Sequence, residues 1–179
     1  DTTASPLNTL YLGPDRSAEY ETTAFDGFEV ANVTAADVAK LIADQNIVCL
    51  FQGRSEAGPR ALGNRSILFD PTVENGKDIV NEVKHREWFR PFAGSCLEES
   101  VHDWFDLAGK ESTPFMMYAV DVKAEMQSLI PAITHVDGTC RVQTVNKEQN
   151  PHYYDLISEF DKIKNVPILF NTSCLLYTS

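Results

Sequence analysis

Cysteine is scarce in this chain and is never arranged for chemistry. The thiols Cys49, Cys96, Cys140 and Cys174 form no C-x-x-C pair, which removes the common zinc-ribbon and dithiol-redox patterns. Three of them sit in apolar or strand-like runs, so the expectation is free, buried thiols in a reducing, cytoplasmic setting. Histidine is equally thin. His85, His102, His135 and His152 show no H-x-x-x-H or other ligand spacing, and no metal site is expected from them. No apolar run approaches the ~20 residues of a membrane span. Neither G-x-G-x-x-G nor G-K-[S/T] occurs, which excludes the dinucleotide fingerprint and the P-loop. Positive charge is also in short supply: 15 Lys and Arg face 26 Asp and Glu, a net charge of −11. Such a chain is a poor non-specific binder of nucleic acid.

What is present fits one globular domain. The chain has 179 residues, 43% of them hydrophobic and 23% charged, enough for a sizeable core. Against the acidic background one stretch reverses sign. Residues 52–67 read Q-G-R-S-E-A-G-P-R-A-L-G-N-R-S-I and hold Arg54, Arg60 and Arg65, Gly53, Gly58 and Gly63, and the single acid Glu56. Glycines let backbone approach a ligand closely, and arginine presents a planar fork suited to phosphate and carboxylate oxygens. Two readings stand open: an anionic-substrate loop, or a surface loop whose arginines pair with acids.

The periodicities predict a mixed α/β chain, of the α+β kind. Residues 1–33 read as a lead-in. A helix is expected over 34–46, with Thr34 as N-cap and Asp37 three residues on, then a buried strand over 47–51 that delivers the Gly-Arg loop at its carboxyl end. A second strand is expected over 66–70 and a helix over 73–84. Residues 84–92, K-H-R-E-W-F-R-P-F, interleave Lys84, Arg86 and Arg90 with aromatics. In alternation Lys84 and Arg86 point the same way, which suits a phosphate better than nucleic acid, the weaker choice for so acidic a chain. A short acidic helix over 98–105, strands over 115–122 and from 131, and a turn at Asp137-Gly138 follow. Over 139–145, T-C-R-V-Q-T-V alternates, with Arg141 and Gln143 on one face. Arg141 there is either an edge charge or a site residue. A helix over 151–164 and a strand over 166–170 close the chain, leading into Asn171-Thr172-Ser173.

These motifs, taken together, resemble a known family. Q-G-R-x-E-x-G-P-R-A-L-G-N-R-S-I, R-E-W-F-R-P-F, T-H-V-D-G-T-x-R-V-Q-T-V and V-P-I-L-F-N-T-S, in that order over about residues 35–173, are similar to the carboxyl-terminal domain of the O-carbamoyltransferases, the nodulation-factor and antibiotic-tailoring enzymes. The resemblance implies a YrdC-like domain over 34–173, a twisted mixed sheet flanked by helices. It implies binding of carbamoyl phosphate and ATP with Mg²⁺, and formation of carbamoyl-adenylate. A separate amino-terminal domain, with an iron site, would then transfer the carbamoyl group to a hydroxyl of a small molecule or sugar. The chain is accordingly expected to be a fragment truncated at both ends. The family continues N-T-S-F-N, whereas Ser173 is followed here by C-L-L-Y-T-S, so residues 174–179 are expected to be a non-native tail.

Carried over by position, the resemblance assigns Arg54, Glu56, Arg60, Asn64, Arg65 and Ser66 to the Gly-Arg motif, and Lys84 and Arg86 to a K-x-R anion pair followed by Arg90. Arg141 and Gln143 fall in the D-G-T-x-R-x-Q block, and Asn171, Thr172 and Ser173 in the terminal segment. Lys84, Arg86 and Arg60 are the expected catalytic cations. The others are expected to bind substrate or nucleotide, and no residue is expected to hold a metal. A non-catalytic nucleotide-binding module and a YrdC-like RNA-binding domain are the alternatives.

Overall fold

The computed structural model describes residues 7–15 and 27–174. The polar stretch from 16 to 26 and the tail beyond Cys174 lie outside them. Among the described residues thirteen short elements follow one another, and seven strands join one mixed sheet in the order β1-β2-β7-β3-β6-β5-β4. These are β1 (Val48–Phe51), β2 (Arg65–Phe69), β3 (Ala93–Leu97), β4 (Phe105–Asp106), β5 (Ala119–Val122), β6 (Thr139–Val145) and β7 (Ile168–Ser173). Only β3 and β6 run parallel; every other pairing is antiparallel. The architecture is the expected α+β one.

Of the four helices among the described residues, the first and last begin where a side chain satisfies exposed backbone groups. α1 (Ala35–Ala43) opens on a full capping box. Thr34 Oγ1 accepts from the Asp37 amide at 3.3 Å, and Asp37 Oδ2 accepts from the Thr34 amide at 2.8 Å. α4 (Pro151–Lys164) starts with Asn150 accepting from the Tyr153 amide at 3.2 Å and with Pro151 in its first turn. It ends at Asn165 with φ +56°, the left-handed stop that asparagine tolerates. Tyr153, Leu156, Ile157 and Phe160 are all buried, each contributing about 2 kcal/mol of burial. α1 and α4 pack on each other, and α4 lies on β3 and β7. α2 (Gly76–Val83) packs across from them, its Gly76 against Phe69 and Ala132. Phe69 and Phe170 are register partners and touch edge to face at 6.2 Å. α3 (Val101–Trp104) is one turn, entered through a 3-10 turn over Glu98–Ser100.

Several expectations are revised. β1 is a half-exposed edge strand rather than a buried one, and Cys49, like Cys174, is exposed, leaving Cys96 and Cys140 as the buried thiols. Residues 131–134 form a turn, with the Ile133 and Thr134 amides both donating to Ile130 O. Residues 115–118 are irregular, with Met116 at φ +54°, and β5 starts only at Ala119. Residues 84–92 are turns, not alternation, since His85 at φ +49° breaks any extended run. The largest omission is β3. Ala93-Gly94-Ser95-Cys96-Leu97 is a fully buried central strand made largely of residues with poor strand propensity. A Cβ at Gly94 would lie 2.7 Å from Ile133 Cδ1, so close packing selects a glycine that propensity argues against.

Candidate anion-binding site

The Gly-Arg loop leaves β1 and returns into β2, and its shape comes from one carboxylate. Glu56 Oε1 accepts from the amides of Leu62 (2.8 Å), Asn64 (2.9 Å) and Arg65 (3.2 Å). Such charge-assisted bonds are roughly twice as strong as neutral ones. Buried Asn64 donates to Arg54 O at 2.7 Å and accepts from Asn150 Nδ2 at 2.8 Å. Ser66 Oγ accepts from the Gly63 amide at 3.0 Å. Arg65 donates to the carbonyls of Gln52, Asn64 and Gly53, and its guanidinium sits 3.5 Å from the Phe51 ring centroid. Gly63 must be glycine: its φ is +102°, and a Cβ there would lie 2.2 Å from Tyr153 Cδ1.

The loop also rests on a buried polar network. Gln143 donates to Leu62 O at 3.0 Å, and Asn171 donates to Ala61 O at 3.1 Å and to Ser95 Oγ at 2.9 Å. Ser95 in turn donates to Gln143 Oε1 at 2.8 Å. Tyr11, from the lead-in, donates to Leu62 O at 2.7 Å, and burial raises its phenol to about 12. Leu62, Ala93 and Met116 form a small second core there, with Leu10, Tyr11 and Phe115 against it. Residues 59–61 are thereby fixed over the end of the sheet where β7 finishes and β3 and β6 begin.

A cavity of about 150 Å³ lies at that end. Arg60, Lys84, Arg86 and Arg141 line it, with Asn171, Thr172, Ser173 and His135, and no carboxylate is among its described lining residues. Lys84, at the C-terminus of α2, is 5% exposed. Its Nζ donates to Ser173 O and lies 3.3 Å from Thr172 Oγ1 and 3.4 Å from Ser173 Oγ. Burial first, and the neighbouring Arg86 second, push the Lys84 ammonium down from 10.5 to about 8. Arg86 lies 5.2 Å from the Phe92 ring centroid. Burial and Arg90 lower its pKa, and burial and Arg60 lower that of Arg141. The Nε atoms of Arg60, Arg86 and Arg141 and the Oδ1 of Asn171 are buried without a hydrogen-bond partner. Unmade buried bonds to charged groups are costly, and here they converge on one cavity. An anion with several acceptor oxygens supplies what the three guanidinium donors lack, while Asn171 Oδ1 calls for a donor such as an amide or hydroxyl group.

All but two of the site residues expected from sequence therefore fall into two sets. Arg60, Lys84, Arg86, Arg141, Asn171, Thr172 and Ser173 meet at this cavity. Glu56, Asn64, Ser66 and Gln143 serve the loop and its support. Arg65 does so too while lining, with Glu56 and Arg60, an adjoining cavity of about 480 Å³. Arg54 is turned to Gly13 O at 3.1 Å, and Arg90 is paired with Glu87 at 2.8 Å. Sequence reasoning passed over Asn81, Ser95, Asn150 and His135. Asn81 spans the carbonyls of Trp88 and Arg90, at 3.3 and 3.4 Å, and so shapes the 84–92 segment. His135 stood in a motif read for its turn and for the family resemblance, with no role given to the ring. Among the described residues no group of three or more His, Cys, Asp or Glu side chains is placed to hold a metal ion, and no helix is long and apolar enough to cross a membrane.

Comparison with known proteins assigns this architecture. The family model for the carbamoyltransferase C-terminus matches residues 39–176. Nodulation protein NolNO of Sinorhizobium fredii is 47% identical over 167 residues, covering 90% of this chain and 25% of that protein. Nodulation protein NolO of Bradyrhizobium diazoefficiens is 44% identical over 176 residues, covering 93% and 32% respectively. An uncharacterized protein of Methanocaldococcus jannaschii is 43% identical over 140 residues, 78% of this chain and 23% of its own length. The chain thus spans about a quarter to a third of the length of these relatives. On the match of its fold-bearing residues, the chain belongs to the carbamoyltransferase C-terminus family.

Proposed function

We propose that this domain binds carbamoyl phosphate and ATP·Mg²⁺ and forms carbamoyl-adenylate, the activated donor for carbamoylation of a hydroxyl group. The observation that carries the reading is the convergence of Arg60, Lys84, Arg86 and Arg141 on a cavity with no acid among its described lining residues, with three guanidinium Nε atoms unpartnered. Four cations around one cavity stabilise the charge that develops when phosphoryl bonds break. The 150 Å³ cavity suits a phosphoryl-sized group. The adjoining 480 Å³ cavity shares Pro59, Arg60, Ala61 and Ser173 with it and offers room for the rest of a nucleotide.

The chemistry balances as two steps. Water cleaves carbamoyl phosphate to carbamate and inorganic phosphate. A carbamate oxygen then attacks the α-phosphorus of ATP, forming the O–P bond while the bond to the bridging oxygen breaks and pyrophosphate leaves. Lys84 and Arg86 hold the phosphate being released and then the α-phosphate. Arg60 and Arg141 neutralise the departing pyrophosphate, and Thr172 and Ser173 hydroxyls orient its oxygens. Mg²⁺ enters with the nucleotide and shields its charge. Transfer to the acceptor hydroxyl, and any iron site, belong to the part of the relatives' length that this chain does not span.

The test is pyrophosphate release from ATP and Mg²⁺, with and without carbamoyl phosphate, beside ATP binding. Release that requires carbamoyl phosphate and disappears in Lys84→Ala and Arg60→Ala is the expected result. ATP binding without release points instead to a nucleotide-binding module. RNA binding with a steep salt dependence points to the third reading.

A further inference from the structure

His135 stands in the wall between the anion cavity and a neighbouring one of about 250 Å³. Each of its ring nitrogens meets an oxygen: Nδ1 lies 3.0 Å from Thr139 Oγ1 and Nε2 2.9 Å from Phe92 O. A carbonyl has no hydrogen, so Nε2 is the donor to Phe92. The threonine hydroxyl has a single hydrogen, and its oxygen also lies 2.7 Å from Asp137 Oδ1, which accepts from the Thr139 amide at 3.0 Å as well. Those two bonds hold the Asp137 carboxyl below its usual range. An ionised carboxylate has no hydrogen to give, so the hydroxyl hydrogen belongs to the Thr139–Asp137 contact. Thr139 Oγ1 can then only accept from His135, and Nδ1 is a donor too. All three contacts are satisfied together by the doubly protonated ring. A neutral ring forces the hydroxyl to turn from Asp137, leaving two oxygens at 2.7 Å with no hydrogen between them, or breaks a ring contact.

The ring bridges two cation-bearing segments. Phe92 closes the 84–92 stretch, and the Arg86 guanidinium rests 5.2 Å from its ring. Thr139 opens β6, two residues before Arg141. We propose that His135 is a two-donor clamp in the wall of the anion pocket: with both ring nitrogens protonated it ties Phe92 to the 135–139 turn and completes the cation set. Asp137 on its own turn favours the charged ring. Arg60, Lys84, Arg86 and Arg141 across the cavity, and Lys77 of α2 across the smaller one, oppose it. An arriving dianion offsets those cations, so the charged ring and the bound anion stabilise each other. This inference rests on the anion-pocket reading above and assigns His135 a positioning and charge-setting role, not contact with the reacting atoms.

Sulfate, a dianion at pH 6.5, is the probe, and at that pH Lys84, at about 8, is already charged. Calorimetric titration compares the unmodified chain with His135→Gln, which keeps an N–H donor for Phe92 O but neither the second donor nor the charge. Sulfate is expected to bind several-fold more weakly to the variant, which has lost a cation at the pocket wall. Equal affinity in the two proteins overturns the clamp and leaves the anion pocket standing. Absence of sulfate binding at every pH overturns the pocket reading itself, and the clamp with it. Nitrogen-15 NMR of the unmodified chain needs no variant: with sulfate at pH 6.5 both ring nitrogens of His135 are expected to be protonated, and a neutral tautomer refutes the proposal.

Discussion

Replacing Glu56 separates a loop-building carboxylate from a ligand-binding one. Its Oε1 accepts from three backbone amides, at 2.8, 2.9 and 3.2 Å, and so holds residues 56–65 in one shape. Glu56→Ala leaves those amides without their acceptor. Each bond to a charged group contributes about 1.5–3 kcal/mol. The three share one oxygen, and water reaches part of the vacated space, so about 3 kcal/mol is expected for the set. For a chain of this size that lowers Tm by roughly 6–12 °C. Glu56→Gln keeps an acceptor oxygen but loses the charge, and about 1–2 kcal/mol is expected. Sulfate affinity falls in both variants because Arg60 rides on the loop, and it falls in proportion to the stability lost. Differential scanning calorimetry beside sulfate titration reads both quantities. An unchanged Tm with abolished binding refutes the reasoning, because it makes Glu56 a direct contact rather than the staple of the loop.

Other outcomes follow from single contacts. Gly63→Ala combines a left-handed φ with a Cβ 2.2 Å from the Tyr153 ring and is expected to cost about 3 kcal/mol or more, read as a loss of Tm without recovery on adding anion. Arg65→Lys loses the fork over three carbonyls and the Phe51 stack and should lower stability by about 1–2 kcal/mol. Arg60→Lys should leave Tm unchanged and weaken anion binding. Equal Tm losses in the two variants contradict the division of the arginines. The folded chain holds Lys84 at about 8 against 10.5 in its free form, so between those pH values the unfolded chain binds the extra proton and stability rises with pH. The rise, on the order of 1–2 kcal/mol after screening at the pocket mouth, should be missing in Lys84→Met when urea midpoints are compared at pH 7.5 and 10.

How much of this was legible in the sequence depended on whether the governing interaction was local. The α1 capping box and the apolar stripe of α4 are set by residues three or four apart, and they stand where periodicity puts them. β6 alternates visibly because one of its faces meets Cys140 and Val142 in the core. β3 was invisible because what places Ala93-Gly94-Ser95-Cys96-Leu97 at the centre of the sheet is partners far along the chain, Arg141 to Val145 and Ile168 to Asn171. Lys84 and Arg86 do reach the same cavity, though not by strand alternation: a helix end places one and a left-handed residue at His85 turns the other. Within the Gly-Arg motif the charge pattern pointed to the cavity without distinguishing Arg60, which faces it, from Arg65, which is spent on carbonyls. That distinction is made by hydrogen bonds from the Arg65 side chain to backbone carbonyls, which composition does not record. His135 was hidden for a related reason, since its partner Phe92 O lies 43 residues away.

The most direct test of the account is calorimetric titration of carbamoyl phosphate into the chain and into Arg60→Ala and Arg141→Ala. The account predicts one site in the unmodified chain. Each variant should bind about 10- to 100-fold more weakly, the loss of one charge-assisted contact, with the Tm of the free protein unchanged or slightly raised as cation crowding is relieved. Equal affinity in all three proteins contradicts the claim that this cluster of cations is the phosphate site.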